Sequence, residues 1–214
     1  NLIDRVMFGE VRDFLHLPRL IYRDNPHWVP PLGGEERLKL NSRRHPFYRH
    51  SQAAFFTAYE GRIAIGRLAV LDHRPYNEHN HEKTAFFTLF ECIPPVEVAQ
   101  GLFEAGLDWA RGRGLQEMIG PKGFTALDGL GLLVKGFDLR PALGLPYNPA
   151  YYPGLLEAVG FTPIRDIVSG YLGADMAFPE RIHELAERIR KRRGLHIARY
   201  GNRRDLRHAV GLLK

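Results

Sequence analysis

The sequence has 214 residues, 44% of them hydrophobic and 25% charged, a composition that is typical of a globular protein and excludes a disordered chain. The single cysteine, Cys92, excludes an intrachain disulfide and a metal site built on several cysteines, and it suits a reducing, cytoplasmic compartment. No run of about 18 apolar residues is present, so the sequence predicts no membrane-spanning helix.

Basic residues are concentrated near the C-terminal end of the sequence. The net charge is +6, but residues 181–214 alone hold eleven Lys or Arg against three Asp or Glu, a balance of +8. The other 180 residues are close to neutral, with 19 basic and 21 acidic groups. Because no aromatic stacking platform accompanies the basic residues, the sequence predicts no nucleic-acid partner.

The first half of the sequence predicts a helix, a β-hairpin and a further strand. Apolar residues between positions 11 and 21 recur at helical spacing, and the prolines that follow predict an extended strap anchored by Trp28. Residues 33–50 are polar and predict a loop with one helical turn. The stretch "AAFFTAYEGRIAIGRLAVL" predicts two strands joined at Glu60-Gly61, "HRPYNEHNHEK" a polar loop, and "TAFFTLFECI" a buried strand.

The second half predicts alternating helices and strands. The helical spacing in "VEVAQGLFEAGLDWARGRG" stops at Gly114, and "LQEMIG" then predicts a short strand. A glycine-rich excursion follows, then a helix that ends at Gly160-Phe161 and a last strand in "IRDIVSGYL". Farther on, "FPERIHELAERIRKRRG" predicts an amphipathic helix, "LHIARY" a strand, and "GNRRDLRHAVGLLK" the start of another helix, with Asn202 as its N-cap.

The stretch "LPYNPAYYPGLLEAVGF" is the most informative segment of the sequence. It places three tyrosines, three prolines and an asparagine at the start of one short apolar helix. The prolines fix the backbone, and tyrosine offers an apolar ring together with a hydroxyl group. We therefore expect this stretch to line a cleft beside the end of the buried strand "FFTLFE" and near the loop "GPKGF".

The order of the predicted elements resembles that of the GNAT acyltransferase superfamily, in which a late helix carries an Asn and aromatic residues and closes with Gly-Phe. The resemblance implies an α/β fold with a GNAT-like mixed central sheet flanked by helices. The match is not complete. Asn148 lies about one residue earlier than the superfamily pattern places it, and Leu156 occupies the usual tyrosine position.

Longer stretches resemble a narrower group, two-lobed bacterial proteins similar to bacterial ceramide synthase; they include "NPHWVPPL", "HPFYRHSQAAFFTAYEGRIAIGRLAV", "GPKGF" and "NRRDLRHAVGLLK". In that group a second GNAT-like lobe follows the first. We therefore expect a GNAT-like N-terminal lobe at 1–178, a basic connecting helix at 179–194, and the start of a truncated second lobe at 195–214. The resemblance implies transfer of a fatty acyl group from a thioester to the amine of a sphingoid or similar lipid, and it implies acyl-CoA or acetyl-CoA as the co-substrate.

The junction "ECIPPVEVAQG" lacks the features of the usual CoA pyrophosphate loop of the superfamily. Such a loop is basic and glycine-rich, and it offers backbone N–H groups at a helix start. Here Pro94 and Pro95 remove two donors, and Glu97 adds negative charge to the first helical turn. We therefore expect the missing lobe to bind CoA and this lobe alone to be inactive.

Glu91, Tyr147 and Tyr152 are the candidate catalytic residues that follow from the resemblance. Glu91 ends a buried strand, where desolvation raises the pKa of a carboxyl group and suits it to take a proton from an ammonium. The alternative for Glu91 is a carboxylate paired with an arginine. Tyr147 and Tyr152 are candidates for the acid that protonates the leaving thiolate, or for the lining of a lipid channel. The alternative role for these two tyrosines is packing in the core.

Asn148, Tyr151 and Lys122 are the candidate substrate-binding residues. Asn148 either orients substrate or caps the helix, and Tyr151 either lines the cleft or packs in the core. Lys122 is flanked by Gly120 and Gly123, as in a phosphate-binding loop or an ordinary turn. Three histidines between positions 73 and 81 fall in a predicted solvated loop, so the sequence predicts no metal site.

Residues 181–193 combine one apolar face with many arginines, which suits either a connector between lobes or peripheral contact with an anionic inner membrane surface. The C-terminal segment is also a candidate for homodimer formation through strand pairing. Two classes of function therefore remain. One is an N-acyltransferase in which this lobe forms the acceptor or acyl-chain pocket. The other is a non-catalytic GNAT-derived module that binds a lipid or amine, or only scaffolds.

Overall fold

The computed structural model describes residues 5–8, 11–31, 33–125, 128–142, 144–173, 175–194 and 198–211. The chain divides into two compact units, Asn1–Ile167 and Val168–Lys214. The first unit holds the sheet and the candidate site, and the second holds two helices. The three-part division at residues 178 and 194 stays a prediction.

The first unit is built around one mixed sheet with the strand order β1-β2-β3-β4-β5. All neighbouring strands are antiparallel except β4 and β5, which are parallel. This mixed sheet with its flanking helices confirms the predicted α/β fold class. The elements are β1 Arg5–Phe8, α1 Val11–Ile21, α2 Gly33–Lys39, β2 Gln52–Glu60, β3 Ile63–Asp72, α3 Arg74–Asn80, β4 Thr84–Cys92, α4 Val96–Arg111, β5 Glu117–Ile119 and α5 Tyr152–Ala158.

Helices α1 and α4 cover opposite faces of the sheet. Phe14 of α1 contacts the ring of Phe55 at 5.4 Å, whereas the neighbouring Phe56 belongs to the core cluster that α4 completes. Successive side chains of a strand point to opposite faces, so the two helices lie on different sides. The approach of α4 requires Gly66, because a Cβ there would lie 2.8 Å from side-chain atoms of Val98 and Leu102.

Strand β4 changes its geometry before its end. Its register against β3 shifts between Arg67 and Ala69, and Leu89 has a positive φ of 51°, the mark of a β-bulge. On the other side, β4 pairs with β5 over only three residues, Thr84–Phe86. The two strands then separate, because β5 ends at Ile119 and the chain turns into the glycine-rich segment.

Several predicted elements need correction. The predicted loop after β3 contains α3, whose N-terminus is capped by the His73 side chain, which accepts from the Tyr76 N–H.

The predicted strand "IRDIVSGYL" is wrong. Residues 162–173 have no regular structure, and Val168 is 94% exposed. A strand needs a hydrogen-bonded neighbour, and this segment pairs with none of the described strands. Strand β1 was not predicted.

The second unit contains α6, Glu180–Arg193, and α7, Arg203–Gly211. Both helices were predicted, and Asn202 caps α7 by accepting from the N–H groups of Arg204 and Asp205. Residues 195–197 of the predicted strand "LHIARY" lie outside the described residues, and 198–200 have no regular structure. Among the described residues, no helix combines the length and apolar character needed to cross a bilayer.

Candidate functional site

Two tyrosine hydroxyls converge on one carboxylate oxygen of Glu91, at the end of β4. Tyr152 Oη donates to Glu91 Oε2 at 2.6 Å, and Tyr22 Oη donates to the same atom at 2.8 Å. The other oxygen, Oε1, lies 3.8 Å from a guanidinium nitrogen of Arg67. The Glu91 side chain is only 13% exposed, so this tyrosine–carboxylate–arginine cluster is largely shielded from water.

Burial controls the protonation of this cluster. Desolvation raises the pKa of Glu91, and the nearby Arg67 charge and the two tyrosine hydrogen bonds oppose that rise only in part. Burial and the Glu91 charge likewise raise the pKa of Tyr22 and of Tyr152. Both tyrosines therefore stay protonated at neutral pH and continue to donate to Glu91. The arrangement holds a carboxylate with raised proton affinity in a fixed orientation.

Arg67 joins the Glu91 cluster to helices α1 and α2. It is 2% exposed and lies directly opposite Glu91 in the β3–β4 register. Its Nη1 donates to the Phe14 carbonyl at 2.8 Å, and its Nη2 lies 3.4 Å from Glu36 Oε1. The buried Nε has no hydrogen-bond partner among the described residues. The arginine pairing that the sequence left open for Glu91 is thus present.

Tyr151 and Tyr152 also form hydrogen bonds with the backbone N–H and carbonyl groups of Cys92. The Cys92 N–H donates to Tyr152 Oη at 3.0 Å, and Tyr151 Oη donates to the Cys92 carbonyl at 2.8 Å. The next residue, Ile93, donates its N–H to Ile65 of β3. Because backbone groups alternate in direction along a strand, those of Cys92 point away from β3. The two tyrosines therefore close the edge of β4 beyond the short β5.

Tyr147 adjoins the cluster through its backbone. Its carbonyl oxygen lies 3.3 Å from Tyr22 Oη, whereas its own hydroxyl donates to the Phe137 carbonyl at 2.8 Å and accepts from Asn25 Nδ2 at 3.1 Å. Tyr22 is further held by a parallel stack on Trp28, with ring centroids 4.9 Å apart. Of the candidate catalytic residues, the structure thus brings Glu91 and Tyr152 into direct contact.

Asn148 and Lys122 lie outside this cluster. Asn148 is buried, and its side chain accepts from the N–H of Leu133 at 2.7 Å and donates to the carbonyl of the same residue at 3.1 Å. It fixes the glycine-rich segment against the loop before α5. Lys122 Nζ lies over the rings of Tyr76 and Phe86, and burial lowers its pKa. Phe86 precedes Glu91 by five positions in β4.

A groove of about 860 Å³ lies between α1, α2 and the strap that carries Trp28. Two of its lining residues touch the Glu91 cluster. Trp28 stacks on Tyr22, and Glu36 pairs with Arg67. Glu91 itself does not line the groove, so Tyr22 and Arg67 separate the carboxylate from it. The sequence prediction placed a cleft beside "LPYNPAYY", whereas this groove is lined by residues from the first 37 positions.

Tyr22 and Arg67 are the site residues that sequence reasoning missed, although each left a signal. Tyr22 continues the buried stripe of α1, since it follows Phe14 and Pro18 at helical spacing. Arg67 is a charged residue in the otherwise apolar strand "IAIGRLAVL", and buried charges of this kind have a partner. No group of three or more His, Cys, Asp or Glu side chains that could hold a metal occurs among the described residues.

The fold and the site define an α/β protein with a mixed sheet and a buried tyrosine–carboxylate–arginine cluster at a strand edge. The chain is 28% identical over 160 residues to the bacterial ceramide synthase of Caulobacter vibrioides, covering 74% of this chain and 42% of that protein. It is 25% identical over 185 residues to protein YghO of Escherichia coli, covering 86% and 47%. The predicted similarity to bacterial ceramide synthase is thereby confirmed.

The chain spans less than half the length of these two curated relatives. A solved structure, the aminoglycoside acetyltransferase meta-AAC0020 from an uncultured soil metagenomic sample in complex with sisomicin, is 11% identical with a TM-score of 0.46. That likeness covers 80% of this chain and 96% of the solved chain. No protein-family model matches the sequence.

Proposed function

We propose that the chain forms the acceptor and acyl-chain lobe of a GNAT-like N-acyltransferase that acts on a sphingoid or similar lipid amine. One observation carries this proposal: Glu91, a shielded carboxylate of raised pKa, is held by two protonated tyrosines at the end of β4. A carboxylate of raised proton affinity is suited to general-base chemistry. The similarity to bacterial ceramide synthase supports an acyl acceptor of the lipid class.

In the proposed reaction, Glu91 accepts a proton from the acceptor ammonium and leaves a neutral amine. The amine nitrogen attacks the thioester carbonyl carbon, a C–N bond forms, and the C–S bond breaks to release the thiolate. The thiolate then takes a proton, for which Tyr147 and Tyr152 remain the predicted donors. The nitrogen, which is cationic after the attack, gives its second proton to the resulting tyrosinate, so that a neutral amide and a free thiol are formed. The hydrogen bonds from Tyr22 and Tyr152 fix the orientation of the base, so an ammonium meets the carboxylate in a defined geometry.

We assign the binding of the acyl-CoA pyrophosphate to a part of the parent protein outside this lobe. Cys92, whose backbone groups are already bonded to two tyrosines, ends β4, and Pro94 and Pro95 follow it. This junction therefore offers no row of free backbone N–H groups to phosphate. Glu97 stands in the first turn of α4 and adds repulsion. Tyr151 and Asn148 would then shape the acceptor side, and Lys122 stays a prediction for substrate binding.

A second candidate is a non-catalytic module, which the pairing of Arg67 with Glu91 favours. In that case the carboxylate balances a buried guanidinium, and the tyrosines satisfy its remaining acceptors. The two proposals differ in what the carboxylate charge does. An ion pair needs the charge for stability, whereas a base needs it for turnover.

The parent protein with Glu91→Gln tests the proposal, with acyl transfer from a long-chain acyl-CoA to a sphingoid amine as the measurement. Loss of the base should lower kcat by about 100-fold or more while binding of acyl-CoA persists. The matched control is Glu97→Gln, an exposed residue of α4 that should retain full activity. A Glu91→Gln protein with wild-type turnover would reject the catalytic proposal and favour the module.

We also propose a cytoplasmic location, with peripheral contact at the inner membrane through residues 181–193. The apolar residues of α6 are about half exposed, and its last turn carries Arg190 to Arg193. This combination of an exposed apolar stripe and clustered cations suits an anionic bilayer surface. Homodimer formation through the C-terminal segment remains a prediction as well.

A further inference from the structure

The groove between α1 and α2 has the chemistry of a site for an anionic amphipath. Its walls include Val11, Leu15 and Trp28, and Val11 is 54% exposed. Its charged residues are mostly basic, with Arg12, Arg19 and Arg37 against Glu36 alone. A ligand that fits these walls has an apolar chain and a negative head group.

The arginines of the groove are available to a ligand. Glu36, the acidic residue in the lining, is already engaged by the buried guanidinium of Arg67. No ion pair holds Arg12, Arg19 or Arg37 in the part of the chain that the structure describes. Uncompensated cations around an apolar surface attract an anion and disfavour a cationic head group.

We propose that this groove binds a single-chain amphipath with an anionic head group, such as a phosphate or carboxylate. The apolar chain lies along Val11, Leu15 and Trp28, and the head group lies among the arginines. The volume of about 860 Å³ falls within the range of about 300–1,000 Å³ found for ligand pockets. This inference is independent of acyl transfer, since binding is measured without turnover.

Isothermal titration of the 214-residue chain with dodecyl phosphate, below its micelle concentration, tests the inference. Dodecyltrimethylammonium and inorganic phosphate serve as probes of the opposite charge and of the head group alone. We expect saturable binding of dodecyl phosphate and at least tenfold weaker binding of the other two. The triple variant Arg12→Gln, Arg19→Gln, Arg37→Gln should bind dodecyl phosphate about tenfold more weakly than the native chain.

The matched control removes three exposed arginines outside the groove, Arg43→Gln, Arg44→Gln and Arg49→Gln, with the same change in net charge. It should bind as the native chain does. Equal weakening in both triple variants, or equal binding of the cationic amphipath, would show that only overall charge acts and would overturn the inference. Absence of any binding would overturn it too, and would leave the groove as a surface for protein contact.

Discussion

Arg67 and Glu91 lie directly opposite each other on β3 and β4, with the guanidinium 3.8 Å from the carboxylate, just beyond the bulge at Leu89. The bulge places two residues of β4 against one of β3, so it decides which β4 residue lies opposite Arg67. The backbone irregularity and the buried ion pair are therefore parts of one arrangement. A strand without the extra residue would present a different side chain to the arginine.

The raised pKa of Glu91 predicts a pH-dependent cost to stability. A carboxyl whose pKa is higher in the folded state stabilises the fold below the unfolded pKa, and that stabilisation is lost as pH rises through the folded pKa. Glutamine cannot ionise. The free energy of unfolding of Glu91→Gln minus that of the native chain should therefore become more positive as pH rises above about 4, the ordinary range of a glutamate pKa. Urea unfolding at several pH values measures this difference.

The exposed Glu97→Gln variant gives the baseline for that series and should show no comparable trend. A difference for Glu91→Gln that falls with pH would mean that Arg67 dominates and that the folded-state pKa of Glu91 is depressed.

Tyr152→Phe should fold but lose stability. The substitution removes the acceptor of the buried Cys92 N–H and one of the two donors to Glu91. An unsatisfied buried donor costs about 1–3 kcal/mol. We expect a decrease of that size in the free energy of unfolding by urea, against almost none for Tyr200→Phe, whose side chain is half exposed. A Tyr152→Phe chain of native stability would show that water takes the place of the hydroxyl, and hence that water reaches the Glu91 cluster.

Two glycines of the α5 region should respond to alanine in opposite directions. Gly160 has a φ of 95°, where a Cβ is strained, so Gly160→Ala should destabilise the chain by about 1–2 kcal/mol. Gly154 lies inside α5, and a Cβ there would meet no atom within 4 Å. Gly154→Ala should stabilise the chain by up to about 1 kcal/mol. Thermal or urea unfolding measures both, and equal signs would contradict the end of α5 at Ala158.

The membrane proposal predicts that the chain sediments with vesicles rich in anionic lipid and is released as salt rises, because screening weakens surface charge attraction. Replacing Arg190, Lys191, Arg192 and Arg193 by Gln should reduce sedimentation several-fold. Replacing four exposed cations elsewhere, Arg43, Arg44, Arg49 and Arg62, should leave it unchanged. Binding that is equal for neutral and anionic vesicles would reject the proposal.

The sequence predicted the elements that have their own local signals. The apolar spacing of α1 and α4, the turn at Gly61 and the buried run of β4 are each carried by neighbouring residues. The strand predicted at "IRDIVSGYL" failed because strand formation depends on a partner that no local pattern reveals. The loop that became α3 failed because histidine, which is not a usual cap, caps its first turn.

The candidate site was predicted only where its residues carry a local sequence signal. Glu91 and Tyr152 stood out because a charge ended a buried strand and tyrosines clustered before a helix. Their meeting with Tyr22, 69 positions away from Glu91, depends on how α1 crosses the sheet, which sequence spacing does not encode. The groove was missed because its walls come from α1, the strap and α2, whose mutual orientation is a property of packing.

The hydroxyls of Tyr151 and Tyr152 also prevent a further strand from pairing with the end of β4. An open strand edge is a template for another strand, and here the last backbone groups of β4 are already engaged by α5. Detachment of α5 would free that edge and release one of the two donors to Glu91 in the same event. Protection from aggregation and orientation of the carboxylate are thus coupled. A chain whose site is disrupted by detachment of α5 therefore also exposes a strand edge that can pair with another chain.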